Sequence, residues 1–274
     1  MGSCWPAVST KEPQLNDILE GLVRGAELDA LSRQESRSLA EVQRGALAAT
    51  PALNALDYLA GASRIRIIAE IKRASPSRGV LAEIKDAREL AKLYERAGAS
   101  AISVLTESRK FLGSLEDLAL VKSVVGIPVL RKDFITSPYQ VFEAREAGAD
   151  MILLMASVLD QQTLSNLHSL VLELGMTALV EVHDSVEMDR ATQIGAKLIG
   201  VNARDLKTFE LDRNLFADLV ESFPPDATRV AESAVRTPED VLNYRRAGAD
   251  VVLIGEALVT SDPVETLQKF LEVA

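Results

Sequence analysis

Cysteine is nearly missing from this chain of 274 residues, which holds only Cys4. One thiol closes no intrachain disulfide and builds no cysteine-ligated metal cluster, and it reads as a free thiol in a reducing compartment. Histidine is almost as scarce. His168 and His183 are the two, without H-x-x-H or H-E-x-x-H spacing, so no zinc site is expected. No Ser-His-Asp arrangement or G-x-S-x-G elbow is present either, which sets aside the common serine hydrolases. Positive charge is in deficit: 30 Lys and Arg against 40 Asp and Glu leave a formal net charge of −10. Nucleic acids and anionic membranes are bound by clustered cations, so neither partner is expected, and an anionic substrate must be held by local groups. No apolar run is long enough to span a bilayer. The opening MGSCWPAVST has no basic n-region or apolar h-region, and Pro6 stands where a myristoylation signal needs Ser or Thr. A cytoplasmic protein is expected.

What the chain has is a 47% hydrophobic content in a regular arrangement. From residue 66 onward, short apolar runs alternate with amphipathic stretches of about ten to fifteen residues, the pattern of alternating strand and helix. Eight runs can be counted: RIIAEIK (66–72), AISVLT (101–106), PVLRKD (128–133), DMILLMA (150–156), TALVEV (177–182), KLIGVN (197–202), TRVAES (228–233) and DVVLIG (250–255). Most lack polar alternation, as parallel strands buried on both faces do. Gly-Ala marks the passage from helix to strand at Gly98-Ala99, Gly148-Ala149, Gly195-Ala196 and Gly248-Ala249. Glycine there takes the left-handed conformation that closes a helix. The mark recurs about every 50 residues, two strand-helix units at a time, and eight such units fill residues 66–274.

The predicted fold is therefore an α/β protein, a closed (β/α)8 TIM barrel forming a single catalytic domain over 66–274. An open doubly wound sheet would more often carry a G-x-G-x-x-G turn after its first strand, where RASPSRG stands here. Residues 1–65 read as an N-terminal helical extension packed on the barrel. Helical spacing covers 13–33 (Leu15, Ile18, Leu19, Leu22) and 37–49 (Leu39, Val42, Leu47), for helices that plug or flank the barrel or, alternatively, cover its site.

Charge falls in an unusual place. The apolar runs end in Glu70 and Lys72, Glu107, Lys132, Glu181, Asn202, and Glu232 with Ser233. Burying such groups in a barrel costs free energy unless they are paired or used. In this fold the C-terminal strand ends form the active face. Side chains alternate along a strand, so Glu70 and Lys72 point the same way, into the barrel mouth, with Lys132 and Glu181 facing them. Two lysines and two carboxylates in one confined site shift one another's pKa and divide into proton donors and acceptors. A structural ion-pair network is the plain alternative. Ser233-Ala234-Val235 and Gly255-Glu256-Ala257 follow strands seven and eight, where barrels often hold phosphate. His168 falls within a helical stretch, and Lys85 to Arg96 reads as the solvated face of another.

The segment IAEIKRASPSRG (68–79) resembles the signature of the indole-3-glycerol phosphate synthases. ISVLTE, FLGSLEDL, PVLRKDF, LVEVHD, GVNARDL, VAES and LIGEAL follow in that family's order, and the resemblance covers roughly residues 40 to 270. It implies conversion of 1-(o-carboxyphenylamino)-1-deoxyribulose 5-phosphate to indole-3-glycerol phosphate with loss of carbon dioxide and water, without cofactor or metal. It also implies Lys132, in LRKDF, as the general acid that protonates the substrate ketone as the aromatic carbon attacks. Glu70, Lys72, Glu181 and Asn202 would serve the dehydration that follows. By the same matching, Arg204, Glu232 and Ser233 shape the site, Phe111 and Phe134 line the aromatic-ring pocket, and Ser75 lies near the substrate carboxylate. Phosphate would meet Lys72 and the backbone around Ala234, Gly255 and Glu256. The implied partner is a small phosphorylated, anthranilate-derived molecule, and a monomer or weak homo-oligomer is expected. One departure stands out: the family usually reads AESGI after strand seven, where this chain has Ala234. Alanine disfavours positive φ. Weaker phosphate binding is expected if that N–H must turn towards the phosphate.

Competing readings remain at this point. Phosphoribosylanthranilate isomerase is a barrel that handles the preceding intermediate, but it looks for a strand-one cysteine and Cys4 precedes the barrel. A lysine Schiff-base aldolase, natural or engineered on this scaffold, would use Lys72 or Lys132 as nucleophile. A barrel kept only as a binding module would have expendable polar strand ends.

Overall fold

The computed structural model describes residues 16–61, 64–205, 208 and 210–273. Cys4, the opening residues read for targeting signals, Leu15 and Leu206 of the GVNARDL motif lie outside the described residues. Eight strands, numbered in chain order, form the barrel: β1 (Arg66–Ile71), β2 (Ala101–Leu105), β3 (Val129–Lys132), β4 (Met151–Met155), β5 (Thr177–Val182), β6 (Leu198–Asn202), β7 (Thr228–Glu232) and β8 (Val251–Ile254). Each pairs in parallel with the next, and β8 pairs back onto β1 with Arg66 opposite Val251, which closes the ring. Each apolar run in the sequence contains one of these strands. Both faces of the strands are buried, which is why the runs lack polar alternation. Ile67, Ala69, Ile71, Ile102, Val104, Ile152 and Leu154 pack outward against the helices. Ile68, Leu130, Met151, Leu153, Leu179, Leu198, Val230 and Val251 fill the interior. Truncating one of these fully buried side chains to alanine costs about 2–5 kcal/mol.

The helices are α1 (Asn16–Ser36), α2 (Leu39–Ala48), α3 (Leu56–Leu59), α4 (Ala87–Ala97), α5 (Leu115–Lys122), α6 (Pro138–Glu146), α7 (Gln161–Glu173), α8 (Ser185–Gln193), α9 (Leu215–Leu219), α10 (Pro238–Arg246), α11 (Glu256–Val259) and α12 (Pro263–Glu272). Side-chain caps start many of them: Asp86, Ser114, Asp160, Asp184, Thr237 and Asp262 each accept a first-turn N–H. Gly98, Gly148, Gly195 and Gly248 all have positive φ, the conformation expected of the Gly-Ala marks. α4 buries Ala87, Ala91, Tyr94 and Ala97 and turns Arg88, Glu89 and Lys92 to solvent, so its charges are a solvated face. Among the described residues, no helix is long and apolar enough to cross a membrane.

The N-terminal helices occupy both ends of the barrel. Leu19, Leu22 and Ala26 of α1 cluster with Phe134, Leu153 and Met155 at the mouth. Asp29 pairs with Arg109 beyond β2 at 2.6 Å, and Arg33 with Glu143 of α6 at 2.6 Å. α2 lies on α6 through Val42, Ala46, Tyr139 and Phe142. At the opposite end, Ala55 and Leu59 are fully buried against the interior cluster. Beside them the Leu53 N–H donates to Asp150, the residue before β4, at 2.8 Å. α2 starts at Leu39, two residues later than its apolar spacing predicts, because Ser38 and Glu41 form a capping box.

Candidate active site

Every site residue named from the sequence lines one cavity at the C-terminal ends of the strands. At its centre the Lys132 Nζ, at the end of β3, lies 2.8 Å from Glu181 Oε2 of β5 and 3.1 Å from Glu232 Oε2 of β7. Burial alone would lower the Lys132 pKa, but Glu181, Glu232 and Glu70 outweigh it and hold the ammonium above the ordinary lysine value. Burial works against ionisation of Glu181 too, yet Lys132, followed by His183, holds that carboxyl well below the usual range. Glu232 goes the other way. Burial, opposed by Lys132 and helped by the charge of Glu181, pushes it up to about 8. A protonated amine thus sits between an ionised carboxylate and a carboxyl that keeps its proton near neutral pH. Groups driven apart in this way can act as acid and base in one cycle.

Room for these carboxylates comes from two glycines. A methyl on Gly200 of β6 would overlap Glu232 Oε1 and lie 3.1 Å from its Cδ. A methyl on Gly255, after β8, would overlap Glu70 Oε1 and lie 3.0 Å from Lys72 Nζ. Glu70 of β1 and Lys72 just past its end, two residues apart, lie on one side as alternation requires and form an ion pair of 2.8 Å. Ser103 of β2 reaches Glu70 Oε2 at 3.4 Å. Asn202, at the end of β6, accepts from Ser233 Oγ at 2.7 Å and from the Arg204 N–H at 3.1 Å. After the larger effects of Lys132 and His183, the Asn202 side chain also favours the ionised form of Glu181.

An aromatic wall and a turned backbone complete the mouth. The Phe111 and Phe134 rings stand 6.4 Å apart at 49°. Phe111 is placed by Glu107, whose carboxylate accepts the N–H groups of Arg109, Lys110 and Phe111 at 2.7–2.9 Å. Glu107 is thus occupied in shaping a loop. After β7, Ser233 and Ala234 have φ of 68° and 61°, a left-handed pair with no glycine in it. Such residues store about 1–3 kcal/mol of strain each, and strain of this kind gathers at functional sites. The turn is therefore already made, with alanine carrying what glycine would carry freely. Ser75 Oγ, in the same cavity, is buried without a hydrogen-bond partner.

Sequence reading missed two groups beside the cavity. His183 follows Glu181 by two residues, and strand alternation alone was enough to place its ring beside that carboxylate. Its Nε2 lies 3.5 Å from Glu181 Oε1, and its Nδ1 lies 3.1 Å from Glu187 Oε2. The other group is a charge network behind Lys132. Arg131, almost fully buried, donates to Asp133 at 2.9 Å, to the Gln140 carbonyl at 2.7 Å and to Thr106 at 3.1 Å. Glu143 links it to Arg33 of α1. Nothing local in the sequence signals a contact across that separation. His168 is buried within α7, where burial lowers its pKa.

A closed parallel barrel with two lysines and three buried carboxylates at its mouth, beside an aromatic wall, defines a (β/α)8 enzyme of the acid-base kind. Over residues 19–271 the chain matches the family model described as indole-3-glycerol phosphate synthase. It is 61% identical over 254 residues to the indole-3-glycerol phosphate synthase of Leifsonia xyli subsp. xyli, an alignment covering 93% of this chain and 98% of that one. With the indole-3-glycerol phosphate synthase of Mycolicibacterium smegmatis it shares 53% over 247 residues, 90% of each chain. The chain belongs to the indole-3-glycerol phosphate synthase family. Among solved structures, the 3-hexulose-6-phosphate synthase from Salmonella typhimurium has a TM-score of 0.63 at 17% identity, covering 76% of this chain and 98% of that chain, a likeness of fold alone.

Proposed function

We propose that this protein converts 1-(o-carboxyphenylamino)-1-deoxyribulose 5-phosphate to indole-3-glycerol phosphate, carbon dioxide and water, a carboxy-lyase step of tryptophan biosynthesis. Family membership supports the reaction. The observation that carries the roles is the Lys132 ammonium set 2.8 Å from Glu181 and 3.1 Å from Glu232. The substrate ring lies against Phe111 and Phe134 with its carboxylate near Ser75, while phosphate meets Lys72 and the backbone of Ala234, Gly255 and Glu256. Lys132 gives a proton to the ketone oxygen as the ring carbon bearing the carboxylate forms the new carbon-carbon bond. That leaves a cation, which the neighbouring carboxylates stabilise. The bond to the carboxylate then breaks, its electron pair returns to the ring, and carbon dioxide departs. Dehydration takes a proton from the carbon next to nitrogen and expels the new hydroxyl as water. Glu70, Lys72, Glu181 and Asn202 serve these last transfers, while Arg204, Glu232 and Ser233 shape the site. Two protons are given, one to the ketone oxygen and one to the departing hydroxyl, and one is taken from carbon, so one net proton enters from solvent as the carboxylate leaves as carbon dioxide; no electrons are gained or lost overall, and the chemistry calls for no cofactor or metal.

A Schiff-base aldolase needs a neutral lysine, and the carboxylates around Lys132 oppose that form. Indole fluorescence on mixing purified protein with the carboxyphenylamino-deoxyribulose phosphate tests the proposal, and a folded sample that gives none overturns it. Borohydride trapping with a carbonyl substrate would mark the aldolase instead. A cytoplasmic location, the absence of a nucleic-acid partner, and a monomer or weak homo-oligomer complete the reading. Fractionation and sizing at several concentrations test these points.

A further inference from the structure

His183 sits behind the acid-base cluster in an arrangement that constrains its protonation. Each ring nitrogen faces a carboxylate: Nε2 lies 3.5 Å from Glu181 Oε1, and Nδ1 lies 3.1 Å from Glu187 Oε2. A neutral imidazole has one N–H and one lone pair, and here the lone pair would point at a carboxylate oxygen. The doubly protonated ring puts an N–H towards each, hydrogen-bonding Glu187 through Nδ1 and facing Glu181 through Nε2 at ion-pair distance, where neither Nε2 nor Oε1 has another partner. Glu187 is fixed in its turn, because its Oε2 also accepts the His183 backbone N–H at 2.8 Å and its own N–H donates to Asp184 at 2.8 Å. The carboxyl groups facing the ring are Glu181 on the strand it follows, Glu187 on α8 and Glu232 on β7, the last of which keeps its proton near neutral pH, with Lys132 of β3 beyond Glu181.

We propose that His183, held by Glu187, is a positioning residue whose imidazolium keeps Glu181 a carboxylate during the interval in which Lys132 has given up its proton. The proposal rests on the reaction put forward above. When a Lys132 N–H bond breaks and the ketone oxygen gains that proton, Lys132 becomes a neutral amine and Glu181 loses its nearest cation. Without a second cation, a buried carboxylate is driven to take up a proton. His183 supplies that cation from the side away from substrate. Glu181 therefore remains able to accept a proton in the later step. The upward shift of the His183 pKa, in which its two carboxylate partners outweigh burial, fits this role.

Two histidines make the test direct. In protein labelled with 15N-histidine, long-range proton-nitrogen spectra resolve both rings without any substrate. At pH 7 His183 is expected doubly protonated and His168, whose pKa burial lowers, neutral. Glu187→Gln and Glu181→Gln should each lower the His183 pKa by about one unit, a tenfold change in the equilibrium. A neutral His183 in the unaltered protein, or one unmoved by both variants, overturns the proposal. In turnover, His183→Gln should lower kcat about tenfold with KM within twofold, and should move the acid limb of the kcat profile to higher pH. A variant that loses thermal stability while its kcat profile overlays the parent has lost only a packing residue, and the proposal falls. Failure of the unaltered protein to turn over refutes the reaction instead, and is distinguishable because the ring titrations need no substrate.

Discussion

Gly200 leaves the space that Glu232 fills, so Gly200→Ala tests whether the Lys132 cluster depends on that space. The added methyl would overlap Glu232 Oε1 and stand 3.1 Å from Cδ, with Leu179 Cδ1 at 3.3 Å closing the other side. Glu232 is buried, so its carboxylate cannot swing into solvent and must shift within the barrel. That shift draws Oε2 away from Lys132, now 3.1 Å away. Crowding a packed core costs about 1–3 kcal/mol of stability. Loosening a hydrogen bond to a charged group costs about 1.5–3 kcal/mol more. If the second amount falls on the transition state, kcat drops about 10- to 150-fold. Turnover followed by indole fluorescence reads this, beside a thermal melt to show that the variant is folded. Glu232→Asp in the Gly200→Ala background removes one methylene from the crowded side chain and should recover part of both losses. The double-variant cycle then gives the coupling between the two positions. A Gly200→Ala protein with kcat within twofold of the parent and an unchanged Tm would refute the reasoning. So would a double variant whose losses are merely the sum of the singles.

Lys132→Ala should lower kcat by about two to four orders of magnitude, the range of a lost general acid, and near-normal turnover would reassign the proton donor. Ala234→Gly relieves about 1–2 kcal/mol of left-handed strain and returns about 0.4–1 kcal/mol of chain entropy to the unfolded state. Since the backbone already has φ of 61°, a small rise in Tm is expected from the difference, with KM changed less than threefold; a larger fall in KM would mean that phosphate, not folding, makes the turn. Glu232 holds its proton to about 8 in the folded protein against 4.5 ordinarily, so between those values the folded state binds the extra proton and stability falls with rising pH, by at most about 1.4 kcal/mol per unit. Glu232→Gln should flatten that decline in melts taken across the window, and identical slopes would argue against the raised pKa.

The strands were legible because burial on both faces leaves unbroken Val, Ile and Leu runs, and the four Gly-Ala marks were legible because their glycines occupy positive φ. The pairing of Glu70 with Lys72 followed from a spacing of two. Contacts that depend on distant chain were not legible. Arg33 and Glu143 are far apart in sequence yet 2.6 Å apart in space, and nothing near either residue announces the other. Glu107 shows a different limit. A carboxylate at a strand end looks catalytic until its three N–H donors are seen to engage it. Ala234 was read correctly as a position that wants positive φ. A turn made before substrate arrives puts strain on folding, and the comparison of Tm with KM in Ala234→Gly separates that cost from the loss of phosphate affinity that the sequence leads one to expect.

The seam between β1 and β8 joins the start of the barrel to its end, with Gly255 lying against Glu70 and Lys72. A nascent chain leaving the ribosome has both lysines long before it has β8, and until that last strand docks the ring stays open. Competence thus waits on a strand made near the end of synthesis, whatever order the helices form in. In refolding, activity is expected to return no earlier than the seam closes. A chain broken off before Val251 would hold most of the charged groups and still be inert.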